Sequence, residues 1–163
     1  MTQQDDQQPA QWCVLLDMDG VLCENTLRRE YGNDRDYELF ARRCHLAAPL
    51  MEFVTLAQTL KQNRVAVFIL TARSEKLRAV TGEWLLHYKV YADKILMRPM
   101  GNREKDPVLK KKMVTGLRRM HKFNEPGGLV PLLAVDDDPD IVKMYHDMGL
   151  PACLPANVPE VLL

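Results

Sequence analysis

Two carboxylates, Asp17 and Asp19, stand two residues apart at the end of the apolar run Cys13 to Leu16. Such a run reads as a buried strand, whose side chains repeat every two residues, so both acids can project to the same side. Gly20 follows at once, and a residue without Cβ lets the chain turn sharply and bring its backbone close to a ligand. Crowded carboxylates repel unless a cation or a shared proton relieves them. The spacing points to a divalent-metal site in which one carboxylate also does chemistry. Taken alone, the segment fits a solvated turn after a strand equally well. The apolar Val21-Leu22 excludes a calcium loop, which needs further oxygen ligands there.

The elements that must position these acids are legible as alternating patterns. Val65–Leu70 is a continuous β-branched and apolar run, Lys94–Met97 and Leu132–Val135 are similar, and Ala152–Leu154 is shorter. Such runs suit strands covered on both faces. Helical periodicity falls between them, over Leu50–Leu60 after Pro49, Ser74–Tyr88 with Ser74 as N-cap, and Asp106–His121. A last helix starts at Asp138-Pro139, with Asp138 as its cap, and closes at Gly149. The alternation predicts an α/β fold, a Rossmann-like, doubly wound parallel sheet of about five strands.

Ligands in such sheets bind beyond the carboxyl ends of the strands. Those ends carry Asp17 and Asp19 on the first, Thr71 and Arg73 on the second, Arg98 on the third, and Asp136, Asp137 and Asp138 on the fourth. Lys110 lies near the start of the helix after Pro107. Acids with a metal, a hydroxyl and a lysine make a phosphate site. A carboxylate can attack phosphorus and split one hard step into two. A metal held by acids of the first and fourth strands screens nucleophile from phosphate, and Thr71 and Lys110 bind the remaining oxygens.

The ordered set DMDG, ILT, Lys110 and VDD, from about Leu15 to Asp140, resembles the haloacid dehalogenase phosphotransferase superfamily. The resemblance implies Asp17 as nucleophile, Asp19 as general acid/base, Thr71 and Lys110 as phosphate ligands, and a magnesium ion served by Asp17, Asp19, Asp136 and Asp137. Which of Asp136 and Asp137 touches the ion directly stays open. A narrower likeness lies in Thr71-Ala72-Arg73-Ser74-Glu75, in Arg98–Lys110 and in Val135-Asp136-Asp137. These stretches resemble the 3′-phosphatase domain of phage polynucleotide kinase–phosphatases, which implies that Ala72, Arg73 and Arg98 help bind substrate. The sequence departs from that pattern in its acid-rich fourth motif, in Val21 where Thr is frequent, and in having no GxxxxGK[ST] loop for a kinase half.

Composition bounds the rest. At 163 residues, 47% hydrophobic and with zero net charge, the chain reads as one globular domain over 12–163 after a disordered lead-in at 1–11. The Gln- and Asp-rich start is neither signal peptide nor anchor, and no apolar stretch is long enough to cross a bilayer. Four cysteines without CxxC spacing read as reduced thiols in a cytoplasmic protein. Only fifty residues separate Gly20 from Thr71, so the charged insert at about 24–48 can form a flap or a short helix but no large cap domain. An open site admits a nucleic-acid end or is covered by another subunit. From Arg98 to Lys122 nine Lys or Arg face two acids, a strip that suits a phosphate backbone or a solvated helix face about equally. The expected activity is magnesium-dependent removal of a 3′-phosphate from polynucleotide ends. The alternatives are a small-metabolite phosphatase or nucleotidase, and a phosphate- or nucleic-acid-binding module without turnover.

Overall fold

A computed structural model describes residues 10–31 and 37–158. The lead-in expected at 1–11 therefore lies almost wholly outside the described residues, as does the middle of the insert. Five parallel strands form one sheet in the order β3-β2-β1-β4-β5. They are β1 (Trp12–Leu16), β2 (Ala66–Ser74), β3 (Lys94–Arg98), β4 (Val130–Val135) and β5 (Ala152–Cys153). Helices α1 (Thr26–Tyr31), α2 (Tyr37–Arg43) and α3 (Met51–Gln62) lie between β1 and β2; α4 (Arg78–His87), α5 (Asp106–His121) and α6 (Pro139–Asp147) follow.

Strand periodicity divides the core in two. Val14, Leu16, Val67 and Ile69 face α3 and α4 and pack with Phe53, Val54, Ala57, Trp84 and Leu85. The alternate residues Cys13, Leu15, Phe68 and Leu70 face α5 and α6 and pack with Leu109, Val114, Leu117, Ile141 and Tyr145. Both faces of the inner strands are thus covered, which is why β1 and β2 read as unbroken apolar runs. From β1 the chain builds outward through β2 and β3, then returns to the other side of β1 for β4 and β5. That reversal opens a crevice at the carboxyl ends of β1 and β4.

Several boundaries differ from the sequence expectation. β2 runs on to Ser74, with its pairing to β3 shifting between Leu70 and Ser74. The polar Thr71 and Arg73 read as a strand end but are buried, since protein groups satisfy them in place of water. Ser74 caps the 3₁₀ turn Glu75–Leu77, accepting from the Lys76 amide at 3.3 Å, and α4 itself starts at Arg78. Pro49 precedes Leu50, the residue in the cap position of α3. β4 begins earlier, at Val130. Asp138 caps α6 as expected, accepting from the Asp140 amide at 2.8 Å.

The insert contributes α1, α2 and the turn Cys44–Leu46. Phe40 and Cys44 are fully buried and form a small satellite core with Leu77 and Met97. The segment is therefore docked onto the body of the fold, and the described residues contain no larger cap. All four cysteines are free and buried. Among the described residues no helix is long and apolar enough to cross a membrane.

Leu117 is completely buried beneath the sheet, whereas Leu86 is 63% exposed. Leu117→Ala is expected to lower unfolding free energy by about 2–5 kcal/mol and Leu86→Ala by less than about 0.5 kcal/mol, as measured by urea denaturation. Equal effects would contradict this assignment of faces.

Candidate active site

The apolar side chains of β1 bury that strand between two others, and its pairing carries on into the first acid, whose amide donates to the Val135 carbonyl at 3.0 Å. The chain then folds into a single turn, with Leu22 and Cys23 amides both donating to the Met18 carbonyl at 3.0 Å. Gly20 takes a φ of +90°, and a Cβ there would overlap the Asp137 side chain. Its freedom at that position lets the first loop touch the fourth-strand acids.

Asp17, Asp136 and Asp137 each offer an oxygen, and these oxygens lie within 4.8 Å of one another. Lys110, carried on α5 and 1% exposed, places Nζ 2.9 Å from Asp17 Oδ1 and 2.6 Å from Asp136 Oδ2. Burial works against the charge of Lys110, but Asp17 and Asp136 outweigh it and hold its proton above the usual lysine range. The same burial pushes Asp17 up to about 8 despite Lys110, with Asp136 and Asp19 adding repulsion. Burial also raises Asp136 against the pull of Lys110, and raises Asp137 against a hydrogen bond from Asn25. One ammonium faces three carboxylates, and the group carries more negative charge than its own lysine can balance.

Asp19 is differently engaged. Arg73 grips it with two hydrogen bonds, Nε to Oδ2 at 2.9 Å and Nη2 to Oδ1 at 2.6 Å. Arg73 is 1% exposed, donates also to Thr81 Oγ1 at 3.3 Å, and lies over the Phe40 ring at 5.5 Å. The carboxylate of Asp19 is thus outside the three-acid cluster, although the sequence suggests it as a fourth member.

A cavity of about 310 Å³ joins these groups, with Asp17, Asp19, Thr71, Ala72, Lys110, Asp136 and Asp137 in its wall. Thr71 Oγ1 accepts from the Arg73 amide at 3.2 Å, which leaves its proton to donate. Arg73 and Arg98 do not line this cavity. Arg98 instead fastens the loop after β3, donating to the Ala72 carbonyl at 3.2 Å, the Glu104 carbonyl at 2.8 Å and Asn102 Oδ1 at 2.9 Å, and pairing with Asp106. Asn25 and Arg28 line the cavity without having been expected there. Asn25 donates to Asp137; Arg28 lies over Phe40 at 5.4 Å. Neither belongs to a spaced motif, and only the charge of the insert hinted at a cation near the site.

Three clustered carboxylates with no sulfur or imidazole fit a hard, oxygen-seeking dication such as magnesium, and the unbalanced charge gives it a reason to bind. Together the groups could hold a metal and a phosphoryl oxygen side by side.

Residues 11–157 match the family model for the polynucleotide kinase PNKP phosphatase domain. No curated protein sequence matches significantly. Among solved structures, a chain of a Pnkp1/Rnl/Hen1 complex is 21% identical with a TM-score of 0.71, covering 89% of this chain and 46% of that one. A chain of the Pnkp1/Rnl/Hen1 RNA repair complex is 22% identical with a TM-score of 0.69, covering 94% and 44%. This chain therefore spans less than half the length of either. The D,D-heptose 1.7-bisphosphate phosphatase from B. bronchiseptica, complexed with magnesium and phosphate, is 17% identical with a TM-score of 0.59, covering 88% and 79%. At these identities the structural likenesses concern the fold, which is that of haloacid dehalogenase-type hydrolases.

Breaking a buried pair by removing one partner leaves an uncompensated charge and costs about 3–5 kcal/mol. Arg73→Ala is expected to lose stability of that order in urea denaturation, and adding Asp19→Asn should restore part of it. A loss below about 1 kcal/mol, unchanged by the second substitution, would mean that the pair does not anchor this site.

Proposed function

This chain belongs to the polynucleotide kinase PNKP phosphatase domain family and is a phosphatase of the haloacid dehalogenase type, and we propose that it removes 3′-phosphates from polynucleotide ends with magnesium, through a phosphorylated Asp17. The observation that carries this reading is the meeting of Asp17, Asp136 and Asp137 oxygens within 4.8 Å, with Lys110 between two of them. A preference for nucleic-acid ends is supported by family membership. The RNA repair complex that contains a structural neighbour fits the same reading.

Asp17, Asp136 and Asp137 would hold the magnesium ion, which when bound supplies the positive charge that lets an anionic carboxylate approach a phosphate dianion. Lys110 keeps its ammonium 2.9 Å from Asp17 Oδ1 and neutralises charge at that edge. Thr71 donates its hydroxyl proton to a phosphoryl oxygen. Asp17 attacks phosphorus and the bond to the 3′-oxygen breaks, while Asp19 gives that oxygen a proton. Asp19 then takes a proton from water as it attacks phosphorus, returning inorganic phosphate and free Asp17. Rigidity matters, because positioning supplies much of phosphoryl-transfer catalysis, and every group named sits on β2, on α5 or within three residues of the end of β1 or β4. Residues 12–163 would act as one domain.

Small-metabolite phosphatases share this fold, as the heptose bisphosphate enzyme shows, so substrate choice must be measured. Phosphate release is expected with magnesium, not with EDTA, and faster from a 3′-phosphoryl oligonucleotide than from its 5′-phosphoryl isomer or a 3′-mononucleotide. Asp17→Asn should reduce it by about 10⁴-fold or more, and Asp19→Asn by about 10²–10⁴-fold. Preference for the mononucleotide would favour the metabolite reading, and wild-type-like turnover by Asp17→Asn would remove the mechanism.

Binding can be read without turnover. Magnesium at about 100 times its dissociation constant adds about 2.7 kcal/mol, which for a chain of this size raises Tm by about 5–10 °C. Asp136→Asn should abolish that shift. A shift of wild-type size in the variant would place the metal elsewhere.

A further inference from the structure

A second cavity, of about 570 Å³, opens beside the catalytic one, between the insert and the loop after β3. Arg28 and Ala72 line both cavities and so form the wall between them. The volume is within the roughly 300–1,000 Å³ usual for small-molecule sites. Its lining mixes the Tyr37 ring and Pro99 with Lys76, Arg98 and Arg103.

The charges there are not equally available. Arg98 is consumed by Asp106, Asn102 and the Glu104 carbonyl, and the Glu104 carboxylate is paired with Lys112. Lys76 and Arg103 are exposed, and neither ammonium nor guanidinium has an ion-pair partner among the described residues. Arg28 is anchored over Phe40 at 5.4 Å, yet its Nη1 is buried with no hydrogen-bond partner among the described residues. A buried donor left unmade is costly, and an anionic oxygen passing the wall would satisfy it. Three cations without a carboxylate partner among the described residues thus line this second cavity beside Tyr37, and one of them, Arg28, also lines the catalytic cavity. The arrangement suits a ligand that continues past the scissile phosphate as a sugar, a base and a further phosphate.

We infer that this second cavity is a nucleotide subsite: it takes the terminal nucleoside of a polynucleotide strand and the phosphodiester on its 5′ side, with Arg28, Lys76 and Arg103 contacting that diester and Tyr37 facing the nucleoside. The inference rests on the proposed 3′-phosphatase reading and adds how the strand leaves the site. The subsite reads strand continuity, since a mononucleotide lacks the diester that the cations would hold. Contacts of this kind are electrostatic and fall with salt, by a log–log slope of about −0.7 per phosphate contact on single strands.

The test is a length series, thymidine 3′-monophosphate followed by the 3′-phosphoryl di- and trinucleotides, with p-nitrophenyl phosphate as a substrate that needs the catalytic cavity alone. Wild-type kcat/KM is expected to rise about tenfold from mononucleotide to dinucleotide, as a charge-assisted contact allows, and then to level off. The dinucleotide-to-mononucleotide ratio should fall toward one in Lys76→Glu and in Arg103→Glu, and the salt dependence of the dinucleotide should weaken with it. A ratio unchanged in both variants, or a wild-type ratio near one, would overturn the subsite while leaving 3′-phosphatase activity in place. Hydrolysis of p-nitrophenyl phosphate with no release from any 3′-phosphoryl nucleotide would overturn the 3′-phosphatase reading, and the subsite with it.

Discussion

A lysine buried between two carboxylates, with a third alongside, is the constraint on which this structure turns. Lys110 is within 2.9 Å of Asp17 and 2.6 Å of Asp136, and all three are under 8% exposed. Taking such charges out of water is expensive unless partners compensate, and a single ammonium compensates only part of three acids. Burial raises Asp17 to about 8 even against the pull of Lys110, so removal from water outweighs the pairing. In the proposed mechanism a dication added to the cluster would remove the repulsion and free Asp17 to act as an anion, and the metal and Lys110 together would balance the charge that a phosphate brings.

The fold follows from the need to bring those groups together. Asp17 ends β1 and Asp136 ends its neighbour β4, so the crevice created by the reversal of strand order lies between the two acids. Lys110 reaches them because α5 covers the face of the sheet on which Leu15 and Phe68 are packed. On the other side, Arg73 closes a second buried ion pair with Asp19 and also contacts Phe40, tying the general-acid candidate to the docked insert. The same insert supplies Asn25 to Asp137 and Arg28 to the wall of the cavity. Asp137 of the acid cluster, the Asp19–Arg73 pair and the cavity wall are consequently coupled through one short segment.

Much of this was legible in the sequence, for physical reasons. Continuous apolar runs and 3.6-residue periodicity marked the five strands and the helices α3 to α6, because each buries a wide face. The short α1 and α2 were harder, since Phe40 and Cys44 are too few to make a periodic signal, and the middle of the insert lies outside the described residues. The acids and Lys110 were readable from their positions at strand and helix ends. The partner of Asp19 was not, because Arg73 is 54 residues away and reaches it through tertiary packing. For the same reason Arg98, expected at the substrate, is found fastening a loop. Thr71 and Arg73 read as lying beyond the apolar run of β2 because the groups that satisfy Arg73, Asp19 and Thr81, come from outside that strand.

In the proposed mechanism Asp17 carries the phosphoryl group during turnover. The most direct measurement is acid quench of the magnesium-loaded protein during hydrolysis of an oligonucleotide labelled in its 3′-phosphate, followed by borohydride reduction and peptide mapping. A phosphorylated Asp17 leaves label bound to the protein in the first turnover and homoserine at position 17. Rapid phosphate release with no label on the protein and an unmodified Asp17 would contradict it, and would assign the attack on phosphorus to water.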